Sequence, residues 1–216
     1  ALAPAGRPLI APCPNCHMRL KLAHMKLQQE PESQKKYQQL WNRDFDEDLQ
    51  IITFFELIWD LVNAGAFNRN QAGLNGLKVA AYYGCMLSRP PMMRHEKNFY
   101  GLIEKVLLSL GAEPVSWLNS KRCCGTFLTA SRPDIAARTV AEIMAGAERS
   151  GAECVVTACV MCQMNLEIRS ELPGKIPIFR FSELLELAMG TGNDLEWPRH
   201  HLIDPCPVLR RRELMG

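Results

Sequence analysis

The chain has 216 residues, a formal net charge of +2, 22% charged and 47% hydrophobic residues, and nine cysteines. That length allows a sizeable core and one or two domains. The near-neutral balance gives no electrostatic case for nucleic acid or an anionic membrane surface, and no apolar run approaches the roughly 18–20 residues of a membrane-spanning helix.

Residues 1–22 predict a strand end, a Cys-x-x-Cys turn and the start of a helix. Residues 23–48 are polar and read as solvated helix and loop. The apolar run 51–62, broken by Thr53, Glu56 and Asp60, follows, and then a Gly-, Asn- and Ala-rich stretch over 64–76 that suits a linker. LKVAAYYG (77–84) predicts a strand ending at Cys85, and Phe99, Leu102, Ile103, Val106, Leu107 and Leu110 predict an amphipathic helix over 96–110, stopped by Gly111. A short strand over 113–117, a helix over 133–149, a strand over 154–158, a helix over 161–170, a strand over 176–179 and a helix over 182–189 complete the alternation. Strands separated by helices of this length predict an α/β layer with a mostly parallel sheet. Ligands of such sheets gather beyond the carboxyl ends of the strands, and Cys85 and Cys159 each stand just after a predicted strand.

One cysteine box occurs twice. LIAPCPNCHMRLKL (9–22) returns as VVTACVMCQMNLEI (155–168), 146 residues on, so that Cys13 and Cys16 match Cys159 and Cys162, and Met18, Leu20 and Leu22 match Met164, Leu166 and Ile168. A second echo pairs IITFFELIWDL (51–61) with IPIFRFSELLELA (176–188), Glu56 matching Glu183. The step from box to echo is 40 residues in the first copy (Cys16 to Glu56) and 21 in the second (Cys162 to Glu183), which makes 23–48 an insertion. A duplicated box implies a duplicated domain. Only the second copy has cysteines upstream, Cys85 and the Cys123-Cys124-Gly125 triplet, so the expectation is one whole domain preceded by the closing part of another.

Most of the cysteines sit in Cys-x-x-Cys or Cys-Cys-Gly patterns, where near neighbours are poor disulfide partners; in a reducing compartment such as the cytoplasm the pattern reads as metal ligands. Cys85, Cys123, Cys124, Cys159 and Cys162 offer five sulfurs where a structural zinc needs four. The adjacent pair is awkward around one small tetrahedral ion, while a larger iron–sulfur group can accept neighbouring thiolates. Gly125 lets the backbone approach closely. Cys13 and Cys16 alone fit zinc, a free dithiol or a cluster. Cys154 and Cys206 fall outside the pattern, as a strand residue and a tail residue. His17 and His95 read as satisfied surface or ligand-supporting histidines, His24, His200 and His201 as solvated, and Arg210, Arg211 and Arg212 as a solvated tail.

YYGCMLSRP (82–90), CCGTFLTASRPD (123–134) and VVTACVMCQMNLE (155–167) resemble the second cysteine-rich CCG domain of the B subunit of heterodisulfide reductases, and 9–66 resembles the closing part of the first such domain in the same family. The resemblance implies two pseudo-repeated α/β CCG domains with mostly parallel sheets, the first incomplete: 1–66 its closing part, 67–76 a linker and 77–216 a complete second domain. It further implies that Cys85, Cys123, Cys124, Cys159 and Cys162 hold a non-cubane four-iron four-sulfur cluster at which a disulfide is cleaved or thiols are oxidised. Cys13 and Cys16 would be the last two ligands of another cluster. The implied partners are a ferredoxin-like iron–sulfur protein and a flavin-bearing protein of the same complex, since no G-x-G-x-x-G follows a strand here; the implied substrate is a small thiol or disulfide. Arg89, Lys121 and Arg122 flank the boxes and would orient an anionic thiol, with His95 as a proton donor. Two other readings stay open: an electron-transfer component of a lactate, glycolate, glycerol-3-phosphate or succinate dehydrogenase, and a zinc-bound structural module.

Overall fold

The computed structural model describes residues 6–66, 73–88, 101–170, 176–190 and 195–215. The first part runs β1 (Leu9–Ala11), α1 (Pro14–Gln29), α2 (Pro31–Trp41), β2 (Ile51–Thr53) and α3 (Phe54–Asn63). The rest runs β3 (Lys78–Tyr82), α4 (Gly84–Ser88), α5 (Leu102–Ser109), β4 (Glu113–Pro114), α6 (Pro133–Arg149), β5 (Cys154–Thr157), α7 (Val160–Arg169), β6 (Ile178–Arg180), α8 (Phe181–Ala188) and α9 (Cys206–Arg211). The fold is α/β, and every strand pair among the described residues is parallel: β1 with β2, and a four-stranded sheet in the order β4-β3-β5-β6.

The two sequence echoes are carried by equivalent pairs of strands. Leu9, Ile10 and Ala11 pair with Ile51, Ile52 and Thr53; their counterparts Val155, Val156 and Thr157 pair with Ile178, Phe179 and Arg180 in the same register. Glu56 and Glu183 match for a local reason. Each is the third residue of its helix and returns a carboxylate to the backbone N–H of the cap residue, Glu56 to Thr53 at 2.6 Å and Glu183 to Arg180 at 2.7 Å. Such a return satisfies donors that a helix start leaves open.

The four-stranded sheet is covered on both faces, which explains why β5 reads CVVT with no alternation. Val79, Ala81, Cys154 and Val156 face a core built with Phe55 and Ile58 of α3, Val106 and Leu107 of α5 and Leu184 of α8. Ala80, Tyr82 and Val155 face Val140, Ile143 and Met144 of α6 and Leu166 of α7. The first part therefore docks on one sheet face through α3. Leu74, near the end of the Gly-rich stretch, is fully buried and donates its N–H to Leu110 O at 2.8 Å.

The insertion forms α2 and a loop beside α1, as its polarity predicts, with none of the α2 residues buried. Leu9, Leu20, Leu27, Phe45 and Ile51 line an open cavity of about 590 Å³ there. The counterparts of Leu9, Leu20 and Ile51, namely Val155, Leu166 and Ile178, are fully buried under β3 and α6.

Two expectations for the second part are corrected. His201 is not solvated: its side chain has no exposed surface and lies between Glu167 and Glu183. Arg212 is not a free tail residue. It donates from Nη2 and Nε to Glu153 Oε2 at 2.5 and 2.9 Å, and the same carboxylate oxygen accepts from Lys78 N, which ties the C-terminal helix to the starts of β3 and β5. The strand expected over 113–117 shortens to Glu113–Pro114, and of the helix expected over 96–110 the described part is Leu102–Ser109.

Candidate cysteine site

The strand order places a switch point between β3 and β5. From β3 the chain crosses to β4 on one side, then returns to β5 on the other. Side chains just past the carboxyl ends of such a pair face a common crevice. Cys85 follows β3 in the first turn of α4, and Cys159, after β5, is the residue that caps α7, with Cys162 one turn inside that helix.

Cys123 and Cys124 reach the crevice on a segment held by a series of hydrogen bonds to β3 and α4. Trp117 Nε1 donates to Ala81 O at 3.0 Å, Tyr83 N to Ser120 O at 2.9 Å, the Tyr82 hydroxyl to Arg122 O at 2.5 Å and the Ser88 hydroxyl to Lys121 O at 3.4 Å. On the far side, Asn165 Nδ2 donates to Cys124 O at 2.6 Å and Thr126 Oγ1 to Met161 O at 3.2 Å, which clamps the Cys-Cys-Gly turn onto α7. Gly125 has φ +78°, and a Cβ there would lie 3.3 Å from Ala136 Cα. Both facts require glycine. Gly84 is similar at φ +63°, its missing Cβ 3.4 Å from Cys162 Sγ.

All five expected ligands, Cys85, Cys123, Cys124, Cys159 and Cys162, line one small cavity with Asn15, Met86, Thr126, Phe127 and Met161. Cys124 Sγ lies 3.5 Å from Cys162 Sγ, Cys85 is hydrogen bonded to Cys123, and Cys162 to Cys159. Their acidities diverge. Hydrogen bonding from Cys162 draws Cys124 and Cys159 below the ordinary thiol value. The hydrogen bond to Cys123 pushes Cys85 up, and the bonds to Cys124 and Cys159 push Cys162 up, with burial adding to both. Buried thiols this close oppose one another's ionisation, so full ionisation of all five needs a cationic centre among them. A soft, polynuclear, thiolate-liganded group fits that donor set. Among the described residues no group of three His, Cys, Asp or Glu side chains is placed to hold a metal ion.

The first box sits alongside. Cys13 caps α1 as Cys159 caps α7; it is half-buried and close enough to Cys159 for their charges to interact, and burial raises its pKa. Cys16 is exposed. The nine cysteines, all among the described residues, are thiols outside any disulfide, with Cys154 fully buried in β5. His17 is buried rather than surface-placed and its Nε2 meets Ile51 O at 3.1 Å, a tie between α1 and β2. His95 and Arg89 lie outside the described residues. Arg122, expected to face a substrate, pairs with Glu142 on α6 instead.

A second, larger cavity of about 310 Å³ lies between the two halves, where β1, β2, β5 and β6 all end. Pro12, Cys13, Phe54, Phe55, Ala158 and Arg180 are among its walls. Sequence reasoning missed it. The matched Cys13 and Cys159 boxes signalled that two strand ends face each other, but nothing in the spacing marked Arg180.

Residues 79–167 match the family model described as CCG: Cysteine-rich domain. The 8-methylmenaquinol:fumarate reductase membrane anchor subunit of Wolinella succinogenes is 27% identical over 91% of this chain and 72% of its own length. The B subunit of the ferredoxin/F(420)H(2)-dependent CoB-CoM heterodisulfide reductase of Methanosarcina acetivorans is 23% identical over 88% of this chain and 68% of its own. The B subunit of the ferredoxin:CoB-CoM heterodisulfide reductase of Methanosarcina mazei is 22% identical over 87% and 67%. A crystal structure of a hypothetical protein from Helicobacter pylori shares the fold, with a TM-score of 0.62 at 12% identity over 87% of this chain; this chain spans 36% of that one. No helix among the described residues is long and apolar enough to cross a membrane.

Proposed function

We propose, from the premise that residues 79–167 form a cysteine-rich domain of the CCG family, that the chain is the iron–sulfur catalytic subunit of a heterodisulfide reductase-like complex. The observation that carries this is the cavity in which Cys85, Cys123, Cys124, Cys159 and Cys162 meet at the switch point of the sheet. Disulfide reduction consumes two electrons and two protons and yields two thiols. A non-cubane four-iron four-sulfur group, when bound, would supply single electrons and an iron able to take a thiolate. The five thiolates would hold it, the N-terminus of α7 would offset negative charge at Cys159 and Cys162, and Met86, Phe127 and Met161 would limit water. Cys13 and Cys16 would serve a second group of the same kind.

In this reading 1–66 is the closing part of a first CCG domain, 67–76 a linker and 77–216 the second domain. The open cavity beside Leu9, Leu20 and Ile51 supports it, because a strand and helix equivalent to β3 and α6 would cover that face. Electrons would come from a ferredoxin-like iron–sulfur partner and a flavin-bearing partner, in the cytoplasm, where thiols stay reduced.

The test is direct. The anaerobically purified chain, analysed for iron and acid-labile sulfide, is expected to carry about four of each per complete cysteine set, and to couple oxidation of a reduced viologen to disulfide cleavage. Zinc without sulfide would end the reading. The likeness to the membrane anchor subunit of a menaquinol:fumarate reductase favours one second reading, an electron-transfer component of a quinone-linked dehydrogenase or reductase. It predicts an intact cluster that passes electrons to a quinone and leaves disulfides untouched.

A further inference from the structure

The 310 Å³ cavity is built largely from matched positions of the two halves. Pro12 matches Ala158, Phe54 matches Phe181, Phe55 matches Ser182, and Thr53, just behind the wall, matches Arg180. Phe54, Phe55 and Phe181 form one apolar wall, the ring of Phe181 meeting those of Phe55 and Phe54 edge to face at 4.5 and 6.2 Å by centroid. The second half adds polar groups beside Phe181, Ala158 and Val160. There Arg180, partly exposed, anchors Nε on Glu183 Oε1 at 2.6 Å and lines the space beside the exposed Ser182 and the first turn of α8. The first turns of α3 and α8 both open onto the space, and the positive end of a helix dipole favours an acceptor. Its volume falls at the small end of the range for small-molecule sites, roughly 300–1,000 Å³.

We infer that this cavity seats the body of the small-molecule substrate and selects a compact apolar ring or branched chain carrying a single carboxylate, held at Arg180 and Ser182. The inference rests on the proposed thiol–disulfide reading for its connection to the cysteines. Cys13 opens into the cavity and Ala158 and Val160 bracket Cys159, so a sulfur on the same molecule lies beside the boxes. The cationic flank expected from Lys121 and Arg122 does not line this cavity. A densely charged thiol finds one guanidinium here, already sharing Glu183, and three phenyl rings.

The experiment uses two sulfur-free probes, 3-cyclohexylpropanoate and its neutral amide, titrated calorimetrically into the full chain as isolated under anaerobic conditions. The carboxylate is expected to saturate and to bind roughly ten- to a hundredfold more tightly than the amide, the worth of one hydrogen bond to a charged group. Arg180→Thr reproduces the Thr53–Glu56 cap at the matching position, so the helix start stays satisfied; it is expected to erase the preference for the carboxylate while keeping amide binding. Ser182→Phe places the matching Phe55 side chain on the polar side and is expected to weaken both probes. Equal affinity for the two probes, no saturation by either, or a preference that survives Arg180→Thr overturns the inference. Disulfide cleavage with no probe selectivity removes the inference and leaves the proposed function; selectivity without disulfide cleavage does the reverse.

Discussion

Replacing His201 with Gln tests how the buried charges around α7 and α8 are balanced. His201 Nδ1 lies 2.7 Å from Glu167 Oε1, and Nε2 lies 3.3 Å from Glu183 Oε2, where it makes an ion-pair contact outside good hydrogen-bond geometry. The rings of Trp197 and Phe179 stand 5.5 and 6.0 Å away, and neither carboxylate side chain exceeds 5% exposure. Burial alone lowers the pKa of His201; the two carboxylates outweigh it and hold the imidazolium up to about 9. Against an unfolded value near 6.5, the gap corresponds to about 3 kcal/mol. The folded pKa is the higher, so this stabilisation is complete below pH 6.5 and disappears as pH rises through about 9. Thermal unfolding at fixed scan rate should show Tm falling by roughly 6–12 °C across that window for a chain of this size. His201→Gln should start lower at pH 6.5, since it leaves two buried carboxylates without their shared cation, and should fall less than the wild type over the same range, the remaining slope coming from buried thiols such as Cys154. A wild-type Tm that does not change between pH 6.5 and 9.5, or a variant with the same slope, refutes the argument.

Cys124→Ser should lower iron content and alter the electronic spectrum, because Cys124 stands at the centre of the thiol contacts with Cys162 and Thr126; unchanged iron and spectrum would exclude it as a ligand. Gly125→Ala should cost about 1–3 kcal/mol in urea unfolding and reduce metal loading, since φ +78° and the 3.3 Å approach to the α6 backbone both oppose a Cβ. Arg212→Ala should cost about 1–2 kcal/mol by releasing Glu153, which also accepts from Lys78 N, without changing cluster spectra. The pure chain should show no steady NADH oxidation; turnover with NADH alone would remove the need for a flavin-bearing partner.

Local signals in the sequence carried most of the fold. Continuous apolar runs mark β3 and β5, and helical spacing of the apolar residues marks α6 and α7, each within a residue or two. The five site cysteines were legible because Cys-x-x-Cys and Cys-Cys-Gly place sulfurs by turn geometry alone. What escaped depends on partners distant in the chain. His201 meets Glu167 and Glu183, 34 and 18 residues earlier, and Arg212 meets Glu153, 59 residues earlier. A signal did exist: Glu167 and Glu183 occupy inward positions of apolar helices, and a carboxylate there demands a cation. Arg180 was missed because its neighbours suggest only a strand end.

Matched positions in the two βα units separate the demands of folding from those of chemistry. Glu56 and Glu183 agree because any helix start of this geometry wants a carboxylate at its third residue. Leu20 and Leu166 agree as apolar residues although one is 40% exposed and the other fully buried, which makes sense if Leu20 also faces a covering element. Cys16 and Cys162 are the more telling pair. Cys162 is buried at 6% exposure and packed against Cys124 and Gly84, where a small apolar residue would also fit. Cys16 is exposed, so packing gives no reason for cysteine there. Under the proposed function, the same residue at a buried and an exposed position, in the first turn of a helix whose cap is itself a cysteine, reflects a need for the thiol. Cys13 and Cys159 cap α1 and α7 in the same way, and Cys13 lines the space between the halves.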